Sequence, residues 1–465
     1  VTEPSSAAVY PEQSPAKNYG LHTGVLGPVE TLAQSVSAVA PSATPALTIP
    51  IIFALAGNAT WLVYALATAA ILLVGFCVSR FARMSASPGS LYTYTSATLR
   101  PIYAAVSAWA LLLAYTATGA SVAGGALYYA VLLVQQFFHF TPPALLVLTL
   151  VCSIAGFIAW RDVKLSAEVM LWIEALSVAT IVIVLAALFF HFGFRIDWDQ
   201  FRLKDVKLPS LGPALVLAIF SFVGFESASS LGTEARDPLR TIPRAVMLCA
   251  LFIGTFFILC SYSEVLGFHS IGSKLSDSTS PLHLLAGVAG VGPLGIAIDF
   301  FAMVSMFACV LACTNAASRL LMKMAHERLM PRLFEHTSKR HGTPGASVVL
   351  VIGLILASTA ILSLRSVSAL DIYDLAGSLS VFGFLTAYAL MAIALPFARR
   401  AAGQHSTRIA AVSIVTVIVM LLIAVFDLQS ANDAIHGRLI PEIYLGYIVL
   451  GLLVYLFTRK SSNAI

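Results

Sequence analysis

Residues Phe220–Val246 read FSFVGFESASSLGTEARDPLRTIPRAV, and the fold turns on how this run is placed. It opens apolar and closes charged. Glu226 sits in the apolar part, where a carboxylate is expensive unless it faces protein or water. Gly224 is a poor helix former, so the backbone can open just before that carboxylate. Glu234-Ala235-Arg236-Asp237-Pro238-Leu239-Arg240 reads as a helix end and a charged turn. Ile242-Pro243-Arg244-Ala245 then begins the next apolar segment, with Pro243 read as part of its first turn, where proline is tolerated. The run therefore reads as a membrane helix with an interruption.

The rest of the chain supports a membrane setting. Of its 465 residues 59% are hydrophobic and 11% charged, with a mean hydropathy of +0.90. A soluble domain carries about a quarter charged residues, so this is a polytopic membrane protein. The apolar runs are helix-length and rich in Leu, Val, Ala and Ile, which argues against a barrel of short alternating strands. The net charge of +5 comes from basic residues scattered between apolar segments, so no nucleic-acid partner is expected. Cys77, Cys152, Cys249, Cys260, Cys309 and Cys313 all fall inside apolar runs, without disulfide or metal spacing. They are read as small core residues. No metal and no cofactor is expected. Residues 1–30 form a polar tail without a signal-peptide pattern.

A spanning helix needs about twenty mostly apolar residues. On that criterion the sequence predicts twelve, over 31–54, 58–81, 101–137, 142–160, 165–191, 211–231, 242–267, 291–324, 345–364, 370–397, 407–427 and 440–458. With the N-terminus in the cytoplasm, twenty of the 27 Lys and Arg residues fall on the cytoplasmic side. That bias sets the orientation, with both termini inside. Residues 81–100 read as an amphipathic stretch along the cytoplasmic surface, and 325–344 as a basic cytoplasmic loop. Residues 192–210 and 268–290 are polar outer loops. Asn58-Ala59-Thr60 fits a glycosylation sequon close to the membrane and is read as a chance match.

The first helix also breaks, at Ser37-Ala38-Val39-Ala40-Pro41-Ser42-Ala43-Thr44-Pro45-Ala46. Pro41 and Pro45 each lack an N–H and clash with the preceding turn. The freed carbonyls find no partner in lipid, so the break faces protein or a wet cavity. Helices one to five and six to ten make two sets, each opened by an interrupted helix. With five helices per half, the second half is inverted. Matched interruptions point to a transporter site at mid-membrane. The halves are read as 31–191 and 211–397, joined by an extracellular loop at 192–210. Helices eleven and twelve and a tail occupy 398–465.

Gly224-Phe225-Glu226-Ser227-Ala228, followed by Glu234 to Ala245, resembles the amino acid–polyamine–organocation permeases. So do Ser87-Pro88-Gly89-Ser90-Leu91-Tyr92-Thr93-Tyr94, Asp162-Val163-Lys164-Leu165-Ser166-Ala167, and Asn315-Ala316-Ala317-Ser318-Arg319 with Gly342-Thr343-Pro344. The matches run from the second helix to the ninth in the family's order. The resemblance implies an all-α LeuT-like fold of ten core helices in two inverted halves, plus two more. It implies a carrier of an amino acid or related amine that works by alternating access.

Broken helices present N–H groups at one end and carbonyls at the other, which suits a zwitterion. Carried over from the family, Ala40, Pro41, Ser42, Ala43 and Thr44 would hold the substrate carboxylate. The Phe222, Val223 and Gly224 carbonyls would hold the amine, with Phe225 and Glu226 beside it. The family's first break is usually glycine-rich. Here two prolines remove donors, which the Ser42 and Thr44 hydroxyls can replace, and a mainly cationic substrate stays open. Phe220, Phe222, Trp109 and Tyr115 are candidates to pack on an ammonium. Glu226, Glu174 and Asp299 are the intramembrane carboxylates read as candidates for proton coupling, whereas His191 sits at a helix end. Some relatives carry a lysine in the fifth helix where others bind sodium. That position falls near Ser177 and not on a lysine, so sodium coupling, proton coupling and exchange stay open, and proton coupling is favoured because of Glu226 and Glu174. An intramembrane enzyme is the lesser reading. Gly119-Ala120-Ser121-Val122 and Gly345-Ala346-Ser347-Val348 match only a loose serine-protease pattern, Tyr373-Asp374 lacks a Gly-x-Gly-Asp partner, and HExxH and P-loop motifs are absent.

Overall fold

The computed structural model describes residues 19–338, 340–433 and 439–463. Most of the N-terminal tail, with Lys17, lies outside the described residues, as do Lys339, Arg438 and the side chains of Arg459 and Lys460. The described residues are almost entirely helical. The long helices are α1 (Pro28–Val39), α2 (Ile49–Ala56) and α3 (Thr60–Ala82), then α4 (Ser90–Ser96), α5 (Pro101–Phe138), α6 (Ala144–Arg161) and α7 (Val163–His191). A short α8 (Trp198–Phe201) precedes α9 (Leu211–Phe220), α10 (Pro238–Ile271), α11 (Pro281–Val288) and α12 (Gly292–His326). The chain ends with α13 (Gly345–Leu364), α14 (Ala369–Ala401), α15 (Thr407–Asp433) and α16 (Leu439–Asn463).

Among the described residues ten helical segments are long and apolar enough to cross a membrane, the first of them running through α1, α2 and α3 from Pro28 to Ala82. Exposed Leu, Ile, Val and Phe cover the outer surfaces of α6, α7, α13, α15 and α16, as helices facing lipid require. The centre is drier and tighter. The 38-residue α5 packs along α14 and α12, and α10 packs along α3. At the α5–α14 crossing Gly383 brings the backbones together: a Cβ there would lie 2.5 Å from the Ala110 carbonyl oxygen.

Two helices are broken. α1 stops at Ala40, which adopts φ 50, ψ 70. Pro41 and Ser42 form a turn, and the chain resumes through a π-helical turn at Thr44–Thr48 before α2. α9 stops at Phe220. A run of turns covers 221–226, with Gly224 at φ 90, and a 3₁₀ segment follows at Ser227–Leu231. One expectation is corrected here. Pro238, at N1 after Asp237 in a left-handed conformation, opens α10, and Pro243 lies inside that helix. The Asp237-Pro238 pair stops one element and starts the next, so the helix begins a turn earlier than hydropathy alone suggests.

Candidate functional site

The two breaks touch. The Gly224 backbone approaches Ala38 so closely that a Cβ on it would lie 2.8 Å from the Ala38 carbonyl oxygen. Between the breaks is a cavity of about 10 Å³, room for roughly one water. Ala43 and Thr44 line it from the first break, and Phe220, Ser221 and Val223 from the second. Ala38 and Val39 of α1, Thr118 and Val122 of α5, Cys309 of α12 and Tyr373 of α14 complete the wall. A second cavity of the same small size lies on the α2 side, between Thr48, Phe220, Tyr373 and Asp374. Phe220 and Tyr373 belong to both walls. Their rings meet edge-on with centroids 5.6 Å apart, and Tyr373 is held by Thr48 at 2.9 Å. Tyr373 and Phe220 therefore form the partition between the two spaces.

Of the residues expected at the site, Ala43, Thr44, Phe220 and Val223 line the cavity. Ala40, Pro41 and Ser42 form the break itself. The Ser42 hydroxyl touches that of Ser177, so the position aligned from the fifth helix does meet the first break. Of the three carbonyls expected to take an amine, Phe222 accepts the Phe225 amide and Gly224 the Ser227 amide, at 3.2 and 2.9 Å. Val223 alone has no backbone donor. In i→i+3 turns, residues three apart share a face. Phe220 and Val223 therefore point into the cavity, while Phe222 packs on Phe257 and Phe225 on Tyr388.

Three of the expected residues do not line this cavity. Trp109 lies against Gly451 and Tyr447 of α16. It precedes the cavity residue Thr118 by nine positions, which puts it about 180° round α5. Tyr115 faces Glu226 rather than a substrate space, donating to it at 2.8 Å, and Tyr388 donates to the other oxygen at 2.6 Å. Asp299 holds α11 in place, accepting from Ser280 and His283, each at 2.5 Å. It is ten residues from Cys309, about 15 Å along α12, and does not line the cavity. Glu174 is buried and takes both its bonds from Ser305, at 3.1 and 2.9 Å.

The α1 side is closed by groups that single-segment reading did not reveal. Glu234 and Arg319 are fully buried and form a bidentate pair at 2.6 and 2.7 Å. Residues 24–26 pair with 233–236 as a short parallel bridge, with Leu26 N–H donating to Glu234 at 3.0 Å and Arg236 N–H to Leu26 at 2.8 Å. Next to it, Lys323 bonds Tyr19 and Glu327, each at 2.7 Å, and Tyr92 donates to Glu327. Thr118 was signalled only as a hydroxyl in an apolar helix. Cys309, read as a packing residue, both lines the cavity and donates to the Ala38 carbonyl at 3.1 Å.

Known proteins resemble this chain along most of its length. A low-affinity putrescine importer, PlaP, of Escherichia coli (strain K12) is 27% identical over 300 residues, 62% of this chain and 64% of that protein. The vacuolar cationic amino acid transporter 2 of Arabidopsis thaliana is 25% identical over 345 residues, 70% of this chain and 51% of its own length. The match thus spans less than two thirds of either relative. A manganese transporter of Eremococcus coleocola, solved by crystallography, superposes with a TM-score of 0.56 at 13% identity, covering 97% of both chains. That likeness speaks to the fold: the chain has the all-helical architecture of a LeuT-like transporter. The family described as amino acid permease matches residues 26–451. The relatives are carriers and not enzymes, and the chain, a multi-pass membrane protein, belongs to the amino acid permease family.

Proposed function

We propose that this permease carries an amino acid or a related small organic amine across the cytoplasmic membrane by alternating access, coupled to protons. The chain crosses twelve times with both termini inside. Residues 31–191 and 211–397 form inverted five-helix halves joined by an outer loop at 192–210, and 398–465 adds two helices and a tail. Residues 1–30 are a cytoplasmic tail.

One observation carries the reading: the two helix breaks meet, and both contribute walls to the same cavity. The first break offers the Thr44 hydroxyl and the Ser42 amide, which makes no backbone bond. The second offers the Val223 carbonyl. An anion fits the former and an ammonium the latter. With room for about one water, the cavity admits a substrate only when Phe220 and Tyr373, or the Glu234–Arg319 closure, move aside. The relatives named for putrescine and for cationic amino acids favour a substrate with an amine.

The test is exchange in proteoliposomes loaded with unlabelled putrescine, L-arginine or L-leucine and supplied with the same compound radiolabelled. Saturable, protein-dependent accumulation of at least one label is expected. Its uptake under an imposed pH gradient, without sodium, is expected to exceed uptake without the gradient. If no label in an amino acid and polyamine panel crosses, the carrier reading fails. If only a sodium gradient drives uptake, or only exchange occurs, the proton assignment fails.

A further inference from the structure

We propose that Glu264 is the acceptor for a coupling cation, a proton or a sodium ion, and that it passes the cation's arrival to both helix breaks. This rests on the carrier reading above and names the site of its coupling.

Glu264 lies within α10 and is 0% exposed, and neither carboxylate oxygen has a hydrogen-bond partner. The other buried carboxylates near the breaks are occupied. Glu226 takes two tyrosine hydroxyls, Glu174 takes Ser305, and Glu234 takes Arg319. Asp299, at the end of α12, takes Ser280 and His283. Asp427 on α15 leaves one oxygen unpaired, whereas Glu264 leaves both. A buried carboxylate without a donor or counter-charge is strongly disfavoured. Its missing partner is a positive charge, and no Lys, Arg or His among the described residues bonds to it.

The surroundings connect this carboxylate to the site. α10 packs along α3 and also touches α1, α7, α11 and the π-helical turn at Thr44–Thr48. Tyr64 from α3, Tyr129 from α5 and Cys260 one turn earlier on α10 feel Glu264 electrostatically; Tyr373 acts more strongly on Tyr64, and Asp299 and Tyr128 act more strongly on Tyr129. Each tyrosine is already committed to one break. The Tyr64 hydroxyl pairs with Ser221 at 3.3 Å, and Tyr129 donates to the Ala46 carbonyl at 3.2 Å. With a cation on Glu264, those two bonds stand. Without it, the bare carboxylate competes for both hydroxyls and draws them from Ser221 and Ala46. Loading of one carboxylate thereby alters the packing of both breaks.

The experiment compares wild type, Glu264→Gln and Glu264→Asp in proteoliposomes, with radiolabelled putrescine and L-arginine as probes. Three conditions are used: equal-concentration exchange, a pH gradient with alkaline interior, and an inward sodium gradient at equal pH. In wild type, one gradient is expected to drive uptake, and which one identifies the cation. Glu264→Gln is expected to lose on the order of tenfold of that response, within the range of coupling between two sites, while exchange continues. Continued exchange shows that this variant is folded, and Glu264→Asp, which keeps the charge, is expected to retain part of the response. A gradient response in Glu264→Gln within about twofold of wild type overturns the proposal. So does a wild type that exchanges but answers neither gradient, which leaves the carrier reading standing. Loss of exchange in Glu264→Gln with exchange intact in Glu264→Asp places Glu264 in substrate translocation itself and overturns its assignment to the cation alone. If wild type exchanges no probe, the carrier reading falls and this proposal falls with it.

Discussion

Replacing Arg319 by Met removes the counter-charge of a carboxylate with no access to water. Arg319 is 1% exposed and Glu234 0%, and the pair is bidentate at 2.6 and 2.7 Å. Arg319 also donates to the Asn315 carbonyl at 2.9 Å. Breaking such a pair from one side costs about 3–5 kcal/mol, because the remaining charge stays buried, whereas replacing both members by neutral groups of similar size is often close to neutral. Arg319→Met and Glu234→Gln are therefore each expected to destabilise the detergent-solubilised protein by about 3–5 kcal/mol, and the double variant by less than either. Thermal unfolding followed by tryptophan fluorescence ranks the four proteins, and the double variant is expected to melt above both single ones. The functional consequence follows from the same energy. The unpaired charge is relieved when the α1 side opens to water, so each single variant is expected to favour that open form and to label faster at a cysteine placed at Ala228. Additive losses, with the double variant melting below both singles, would be the behaviour of groups more than about 7–10 Å apart, and would refute the pair as the closure.

Gly224→Ala places a Cβ 2.8 Å from the Ala38 carbonyl at a residue with φ 90. Left-handed strain of about 1–3 kcal/mol and overpacking of about 1–3 kcal/mol both apply, so exchange is expected to fall at least about tenfold. Wild-type exchange would show that the breaks do not need this contact. Glu226→Gln keeps one oxygen for Tyr115 or Tyr388 but loses the charge both now donate to. It is expected to abolish transport or shift its pH dependence while folding stays intact, and an unchanged profile across about pH 5–8 removes Glu226 from the mechanism. Asp197, in the loop before α8, offers a pH test of stability. Partial burial raises its pKa, but bonds from Gln200 and His269 and the Asp199 amide outweigh this and hold the carboxyl below its ordinary 3.8. Its contribution is fully present above that ordinary value and is lost as pH falls through the lower folded one. Asp197→Asn is therefore expected to lower the melting temperature at neutral pH, with the gap to wild type closing below about pH 4.

The breaks were legible because their causes are local. Two prolines and a glycine in apolar runs interrupt helices wherever those helices sit in the fold. Which side chains meet at the breaks was not legible. Trp109 and Thr118 share one apolar helix, and only the packing of α5 against α16 and α14 decides which faces the cavity. Glu234 and Arg319 are 85 residues apart, and their union appears only when the loop at 233–236, paired with residues 24–26, meets α12. Glu264 is not among the carboxylates that the sequence singles out, and its isolation appears only once α3 and α5 are in place.

Both closures hang on one stretch of chain. Phe220, at the end of α9, meets Tyr373 on the α2 side, and Glu234 meets Arg319 on the α1 side. Between them Gly224 rests on the backbone of the first break. On the alternating-access reading proposed above, a movement that lifts Phe220 from Tyr373 would turn about this contact and press the Glu234 end towards α12, and a movement that frees Glu234 would do the reverse. Two gates on separate elements would need a further device to prevent a continuous channel. On that reading the covalent chain from Phe220 to Glu234 would provide the device, with the cavity between the breaks as the point both movements leave in place.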